Sequence, residues 1–217
     1  MMKRVFFDFD GTLADTSRGI INGYNYAFDK KGMAKASEEA IRENIGPPLK
    51  ETLTALVPAA SEGDINTLAA LYREYYSSEG IYELEFFTGI REMLERLRRT
   101  AGVSILSSKP TVFIDNILKR YGYGKYFDTI DGISLGFDNK SKKERLKERI
   151  AGDGLDPSRC MVVGDRAEDM NAARYCGTEF IGVLFGFGDD DEFNGSVTVR
   201  CVGELSDLLM EWAEGRP

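Results

Sequence analysis

Val5-Phe6-Phe7-Asp8-Phe9-Asp10-Gly11-Thr12 joins a short apolar run to two carboxylates and a glycine. Three apolar residues halted by Asp and Gly read as a buried strand entering a loop. Alternate side chains of an extended strand end point the same way, so Asp8 and Asp10 can face one pocket. There, one carboxylate can attack phosphorus and form an acyl phosphate. The other can protonate the leaving oxygen and then activate water. Gly11 lets the backbone approach an anion closely, and Thr12 can cap the next segment of chain. The same letters also suit a plain Asp-Gly turn, so the stretch is decided by its companions.

The pattern recurs. Val103-Ser104-Ile105-Leu106 stops at Ser107-Ser108-Lys109-Pro110, Met161-Val162-Val163 stops at Gly164-Asp165, and Phe180-Ile181-Gly182-Val183-Leu184 runs into Gly186-Phe187-Gly188. Thr129-Ile130-Asp131-Gly132-Ile133 is a further candidate strand, and Val197 to Val202 is expected at a sheet edge. Between them, apolar residues recur at helical spacing: Ile90, Met93, Leu94 and Leu97; Ile114, Ile117, Leu118 and Tyr121; Leu146 and Ile150; Leu205, Leu208, Leu209 and Trp212. Another helix ends at Cys176, before Gly177. Strands alternating with helices predict an α/β domain with a mainly parallel sheet. Such sheets bind ligands at the carboxyl ends of their strands, so the polar residues ending these runs are candidates for one site.

Residues 15–84 read differently. Ile20, Ile21, Tyr24, Ala27 and Phe28 mark a helix with Ser17 as its expected N-cap. Ser37-Glu38-Glu39 starts a second, Pro48 opens a third, and Leu68, Leu71, Tyr72 and Tyr75 mark a longer one after Asp64. The expected organisation is a core of residues 1–14 and 85–217 with a helical cap, residues 15–84, inserted after the first strand.

A chain of 217 residues can bury one core plus a small accessory domain. Its net charge of −8 repels nucleic acid and anionic membranes, so neither is an expected partner. A phosphate site must then be built locally, from a few cations and backbone N–H groups. Histidine is absent, which excludes every mechanism with a His base or ligand and leaves acid–base work to carboxylates, Lys, Tyr or Cys. Cys160, Cys176 and Cys201 are odd in number and lack zinc spacing, which fits a reducing, cytoplasmic compartment. Cys160 and Cys201 adjoin apolar runs and are expected in the core. The apolar run after Met1-Met2-Lys3-Arg4 ends at Asp8, too short for a signal-peptide core, and no stretch is long enough to span a membrane.

Hydroxyls and amides at Ser107-Ser108 can hold phosphate oxygens. One of Lys140, Lys142 and Lys143, pointed inward, would neutralise the phosphoryl group and the attacking carboxylate, while its neighbours stay in solvent. Asp165 at a strand end suits an oxygen ligand for Mg2+. Asp169, one helical turn on, can face the same way; Arg166 and Glu168 are expected in surface or packing roles. An acidic pair, a hydroxyl, a lysine and a second acidic pair, in that order, form the set a magnesium phosphate site needs.

In these residues the sequence resembles the haloacid dehalogenase (HAD) superfamily of phosphatases, in its phosphoglycolate-phosphatase-like branch. Asp8-Phe9-Asp10-Gly11-Thr12-Leu13-Ala14-Asp15-Thr16 matches the family's first motif, and Ser107 falls at its phosphate-binding Thr or Ser. Asp165 and Asp169 match its acidic motif. Ile45-Gly46-Pro47-Pro48-Leu49 looks like the branch's substrate-specificity loop, and Leu184-Phe185-Gly186-Phe187-Gly188 like its late glycine-rich turn. The resemblance implies a Rossmann-like core with an inserted helical cap that closes to exclude water and select the leaving group. It implies Asp8 as nucleophile and Asp10 as acid–base, with Ser107 and Lys142 on the phosphoryl group; Ser108, Gly11 and Thr12, read from the residues themselves, complete the expected phosphate contacts. The implied metal set is Asp8, Asp10 (through its carbonyl), Asp165 and Asp169, with Asp165 the direct ligand. Lys142 is preferred over its neighbours because Leu146 then lies one turn later on the buried face. Ser107-Ser108-Lys109 stands where the family often has Thr-Asn-Lys, which keeps the hydroxyl and loses the amide. Asp10 argues against dehalogenation, because true dehalogenases lack the second aspartate. The implied function is an Mg2+-dependent phosphomonoester hydrolase acting on a small phosphorylated metabolite, phosphoglycolate-like or a nucleoside monophosphate, with oligomeric state left open. A sugar phosphomutase of the same fold, or a non-enzymatic phosphate-responsive binding or signalling protein, is the alternative.

Overall fold

The computed structural model describes residues 2–135 and 140–215. In chain order its elements are β1 (Lys3–Phe7), β2 (Ala14–Asp15), α1 (Ser17–Lys31), α2 (Glu38–Glu43), α3 (Leu49–Leu56), α4 (Glu62–Ser78), β3 (Glu85–Phe86), α5 (Ile90–Leu97), β4 (Ala101–Pro110), α6 (Thr111–Tyr121), β5 (Thr129–Ile133), α7 (Lys142–Gly152), β6 (Cys160–Gly164), α8 (Ala167–Cys176), β7 (Glu179–Val183), β8 (Val197–Val199) and α9 (Val202–Glu214). The chain divides into two compact units, Met1–Ala14 with Phe86–Pro217, and Asp15–Glu85.

The first unit is an α/β fold around a six-stranded sheet in the order β5-β4-β1-β6-β7-β8. Every pairing described in it is parallel. Numbered along the chain, the six strands lie 3-2-1-4-5-6, the doubly wound order whose crevice opens where the winding reverses. That point lies at β1, between β4 and β6. Parallel strands covered on both faces need apolar residues at nearly every position. Val5, Phe6 and Phe7 are accordingly fully buried, as are Val103, Ile105 and Val163. Phe7 is in register with both Ile105 and Val163. The residues that follow these three strands therefore leave the sheet along one edge.

The second unit is helical. α1 packs on α4 through Gly23, which has Tyr72 against it, and Tyr24, Tyr72 and Tyr76 stack into its core. Ser61 and Asp64 form a reciprocal capping box, so α4 begins two residues before Asp64.

Three further expectations need correction. Ser17 is the first residue of α1, not its N-cap; Thr16 holds the cap position without a side-chain bond, and Asp15 Oδ1 instead accepts the Ser17 N–H at 2.9 Å. The edge strand ends at Val199, because Val202 already opens α9 with its side chain buried. Cys201 is exposed, not in the core: its extended backbone at the N-cap of α9 turns the thiol outward, whereas Cys160 is buried in β6. Among the described residues, no helix is long and apolar enough to cross a membrane.

Candidate active site

β1 delivers Asp8. Its N–H donates to the Val163 carbonyl at 2.9 Å, which extends the ladder one residue past the strand, and its Oδ1 accepts the Phe9 N–H at 2.7 Å. β6 delivers Asp165 directly after Gly164, and the first turn of α8 delivers Asp169; both are fully buried. Carboxylate oxygens of Asp8, Asp165 and Asp169 all lie within 4.8 Å of one another. Buried carboxylates need partners, and each has them. Asp165 accepts the Thr12 hydroxyl at 3.1 Å and the Phe187 N–H at 2.8 Å. Asp169 accepts the Arg166 N–H at 3.1 Å, so the capping acid of α8 is also part of the cluster.

α7 delivers the cation. Lys142 is its first residue, where the helix dipole disfavours positive charge. Its ammonium is nonetheless buried, 2.7 Å from Asp169 Oδ1, 3.1 Å from Asp8 Oδ2 and 3.8 Å from Glu168. Leu146, one turn on, is buried in the core, and the Arg145 guanidinium holds the Asp131 carbonyl of β5 at 2.9 Å. The neighbouring lysines lie outside: Lys140 pairs with Glu148 at 2.7 Å on the surface, and exposed Lys143 lies over the Tyr175 ring.

Charge in this cluster is unbalanced toward negative. Burial opposes the charge on Lys142, but Asp169, Asp8 and Glu168 together outweigh it and hold the ammonium firmly protonated. Burial, then the neighbouring Asp8 and Asp169, push the Asp165 carboxyl well above its ordinary value. Burial also raises Asp169, to about 7, against the pull of Lys142. One ammonium thus faces three buried carboxylates. A divalent cation that prefers hard oxygen ligands fits both the donor set and the excess charge.

The remaining residues flank the triad. Asp10 lies outside it; its Oδ1 accepts the Lys109 ammonium at 2.8 Å. β4 does not stop after Leu106, as its apolar run suggests, but continues to Pro110; Ser107 is buried in this last stretch, and its Oγ accepts the Lys109 N–H at 3.2 Å. Ser108 alternates to the other side and donates to Glu168 at 3.0 Å. Thr12 spends its hydroxyl on Asp165. Gly11 has φ of +75°, and a methyl there would overlap the Asp165 carboxylate, so both its conformation and its bareness are needed. Two participants went unread in the sequence. Lys109 was visible in principle: it alternates with Ser107 in an extended strand end, so both face inward. Glu168 carried no such signal, because nothing in a helix's first-turn acids says which reaches back to a loop serine.

Residues 5–183 match the family model described as haloacid dehalogenase-like hydrolase. A 5'-nucleotidase of Pseudomonas aeruginosa is 30% identical over 207 residues, 94% of this chain and 92% of its own length. The tyrosine-protein kinase PtkA of Mycobacterium tuberculosis is 33% identical over 189 residues, 86% of this chain; the match spans only 64% of the kinase. A phosphoglycolate phosphatase of Vibrio parahaemolyticus is 24% identical over 96% of this chain and 95% of its own. Among solved structures, one described as a predicted phosphatase from Clostridium acetobutylicum superposes with a TM-score of 0.88 at 28% identity, over 97% of this chain and 99% of its own.

Proposed function

The chain belongs to the haloacid dehalogenase-like hydrolases, in the phosphoglycolate-phosphatase-like branch, and acts on phosphate esters; from that premise we propose an Mg2+-dependent phosphomonoesterase that works through an aspartyl phosphate on Asp8. The observation that carries the reading is the buried triad of Asp8, Asp165 and Asp169, with Lys142 bridging Asp8 and Asp169. Asp8, Asp165 and the Asp10 carbonyl would hold Mg2+, with Asp169 as the cluster's fourth member. The ion would supply charge neutralisation between the attacking carboxylate and the phosphoryl oxygens.

The chain's own groups do the rest. An Asp8 oxygen forms a bond to phosphorus as the bond to the leaving oxygen breaks, and Asp10 gives that oxygen its proton. Water then attacks phosphorus, Asp10 takes the water's proton, and the Asp8 carboxylate departs as phosphate is released. Lys142 offsets the repulsion between Asp8 and the incoming phosphoryl group, and Ser107 and the loop amides hold its oxygens. Thr12 and Phe187 keep Asp165 oriented. Ser108 serves the rim through Glu168.

Substrates named for relatives give the panel: phosphoglycolate and nucleoside monophosphates, with pyrophosphate and a sugar phosphate plus bisphosphate primer as contrasts. The first test is phosphate release from a generic aryl phosphate, with Mg2+ and with chelator. Release that needs Mg2+ and vanishes in Asp8→Asn supports the reading. Release that persists in Asp8→Asn refutes it.

A further inference from the structure

Asp189-Asp190-Asp191-Glu192 follows the glycine-rich turn, and of these acids only Glu192 is drawn inward, to half-buried. It sits in a short 3-10 turn, Asp190–Phe193, and the next residue fixes it in place: Phe193 is fully buried against Gly182 of β7. Glu192 Oε2 accepts the Ala167 N–H at 2.8 Å. Its Oε1 accepts the Asp189 N–H at 3.4 Å and lies 3.4 Å from the Arg166 guanidinium. Ala167 is the first residue of α8, so Glu192 satisfies a donor that the helix itself leaves open.

The contacts run on from there to the metal cluster. Arg166 donates to the Phe187 carbonyl at 2.9 Å, and the Phe187 N–H donates to Asp165 Oδ2 at 2.8 Å. Phe187 is therefore pinned on both sides, by a cation at its carbonyl and a carboxylate at its N–H. The turn around it has no slack. A methyl on Gly186 would overlap the Gly11 carbonyl and the Asp165 side chain, and one on Gly188 would overlap the Asp165 carbonyl. Thr12 holds one Asp165 oxygen and Phe187 the other. A plain helix cap needs only the Ala167 contact; Glu192 also steadies, through Arg166, the residue that grips a buried carboxylate.

We propose that Glu192 is a positioning residue for the metal site, setting the orientation of the Asp165 carboxylate and with it the discrimination of Mg2+ from Ca2+. The inference rests on the reading of Asp165 as an Mg2+ ligand. Mg2+ demands short, near-octahedral oxygen contacts, whereas Ca2+ accepts a looser and more variable set. A carboxylate held at both oxygens suits the stricter ion, so releasing one oxygen costs Mg2+ more than Ca2+.

The test is calorimetry of Mg2+ and of Ca2+ on the unsubstituted protein, Glu192→Ala and Glu192→Gln, with melts in chelator. Ser61→Ala, which breaks the capping box of α4, controls for lost stability alone. Glu192→Ala is expected to weaken Mg2+ binding roughly ten- to a hundredfold, the usual cost of losing a group that orients a metal ligand, and Ca2+ binding less. Glu192→Gln keeps an acceptor for Ala167 but not the charge facing Arg166; it is expected to fall between, and it serves should the alanine variant fail to fold. Hydrogen exchange at the Phe187 amide is expected to quicken in both. Ser61→Ala is expected to lower Tm and leave both affinities unchanged. Unchanged Mg2+ affinity in Glu192→Ala, equal losses for the two ions, or the same losses in Ser61→Ala would overturn the inference. The outcomes separate the two readings. A protein that binds Mg2+ indifferently to Glu192 sinks this inference alone. One whose Mg2+ affinity follows Glu192 but which releases phosphate from no ester sinks the hydrolase reading alone. One that binds no Mg2+ sinks both.

Discussion

Replacing Lys142 by Met removes the ammonium that bridges Asp169 at 2.7 Å and Asp8 at 3.1 Å while keeping a side chain of similar length. Asp169 is fully buried, so the loss leaves a charge with no route to water. Breaking a buried pair from one side costs about 3–5 kcal/mol. For a chain of this size each kcal/mol lowers Tm by about 2–4 °C, so the drop should be roughly 6–20 °C in chelator. The deficit has a pH signature. The Asp169 carboxyl already stands at about 7 with Lys142 present. Without the lysine it rises further, so the deficit should be larger at about pH 8, where Asp169 must either keep an uncompensated charge or take up a proton, than at about pH 5.5, where its carboxyl is already protonated in both proteins. Circular-dichroism melts of both proteins at the two pH values test this. Activity should fall by about 10²–10³ in kcat, the typical effect of removing one preorganised electrostatic group. A Lys142→Met protein that melts with the parent at about pH 8, or whose deficit is independent of pH, refutes the assignment of this ammonium to a buried carboxylate cluster.

Other outcomes rest on the same geometry. Asp165 and Asp169 are held above their unfolded values, so the folded chain retains protons that the unfolded chain has lost, and this contribution to stability falls as pH rises from about 4 toward 7. Mg2+ binds the ionised form, so the Tm gained on adding it should grow between about pH 5.5 and pH 8; a gain that is flat or shrinks contradicts the metal assignment. Gly11→Ala forces a methyl into positive φ, at about 1–3 kcal/mol, and into the Asp165 carboxylate. It should lower both Tm and Mg2+ affinity, and unchanged Mg2+ affinity by calorimetry would count against Asp165 as a ligand. Lys143→Ala, which alters an exposed lysine one residue from Lys142, should leave kcat/KM within about twofold, as surface substitutions usually do; a large loss would mean the wrong lysine has been assigned.

Much of this was legible in the sequence, for identifiable reasons. The strands of a covered parallel sheet carry short apolar runs, and those of β1, β4 and β6 give way to Asp8, Ser107 and Gly164-Asp165, so both the sheet and its reactive edge show in one dimension. The residues Asp8, Asp165, Asp169 and Lys142 occupy strand ends and first helical turns, where position fixes direction. What escaped depends on contacts between distant segments. The turn of Cys201 into solvent comes from how α9 starts, which a neighbouring apolar run cannot reveal. The strand at Val197 stopped early because Val202 was needed as a helical core residue, and β-branched residues serve either purpose. Lys109 was hidden by its setting, since Lys before Pro reads as an exposed loop until Ser107 and Lys109 are seen to alternate inward.

The central claim is that Asp8 itself carries the phosphoryl group. Quenching the enzyme during turnover and reducing it with borohydride converts an acyl phosphate on aspartate to homoserine, which peptide mass spectrometry locates. Homoserine at position 8, dependent on both substrate and Mg2+ and absent from Asp8→Asn, is the expected result. Label at another carboxylate, or turnover with no labelled residue under conditions that trap a reference acyl phosphate, would contradict it.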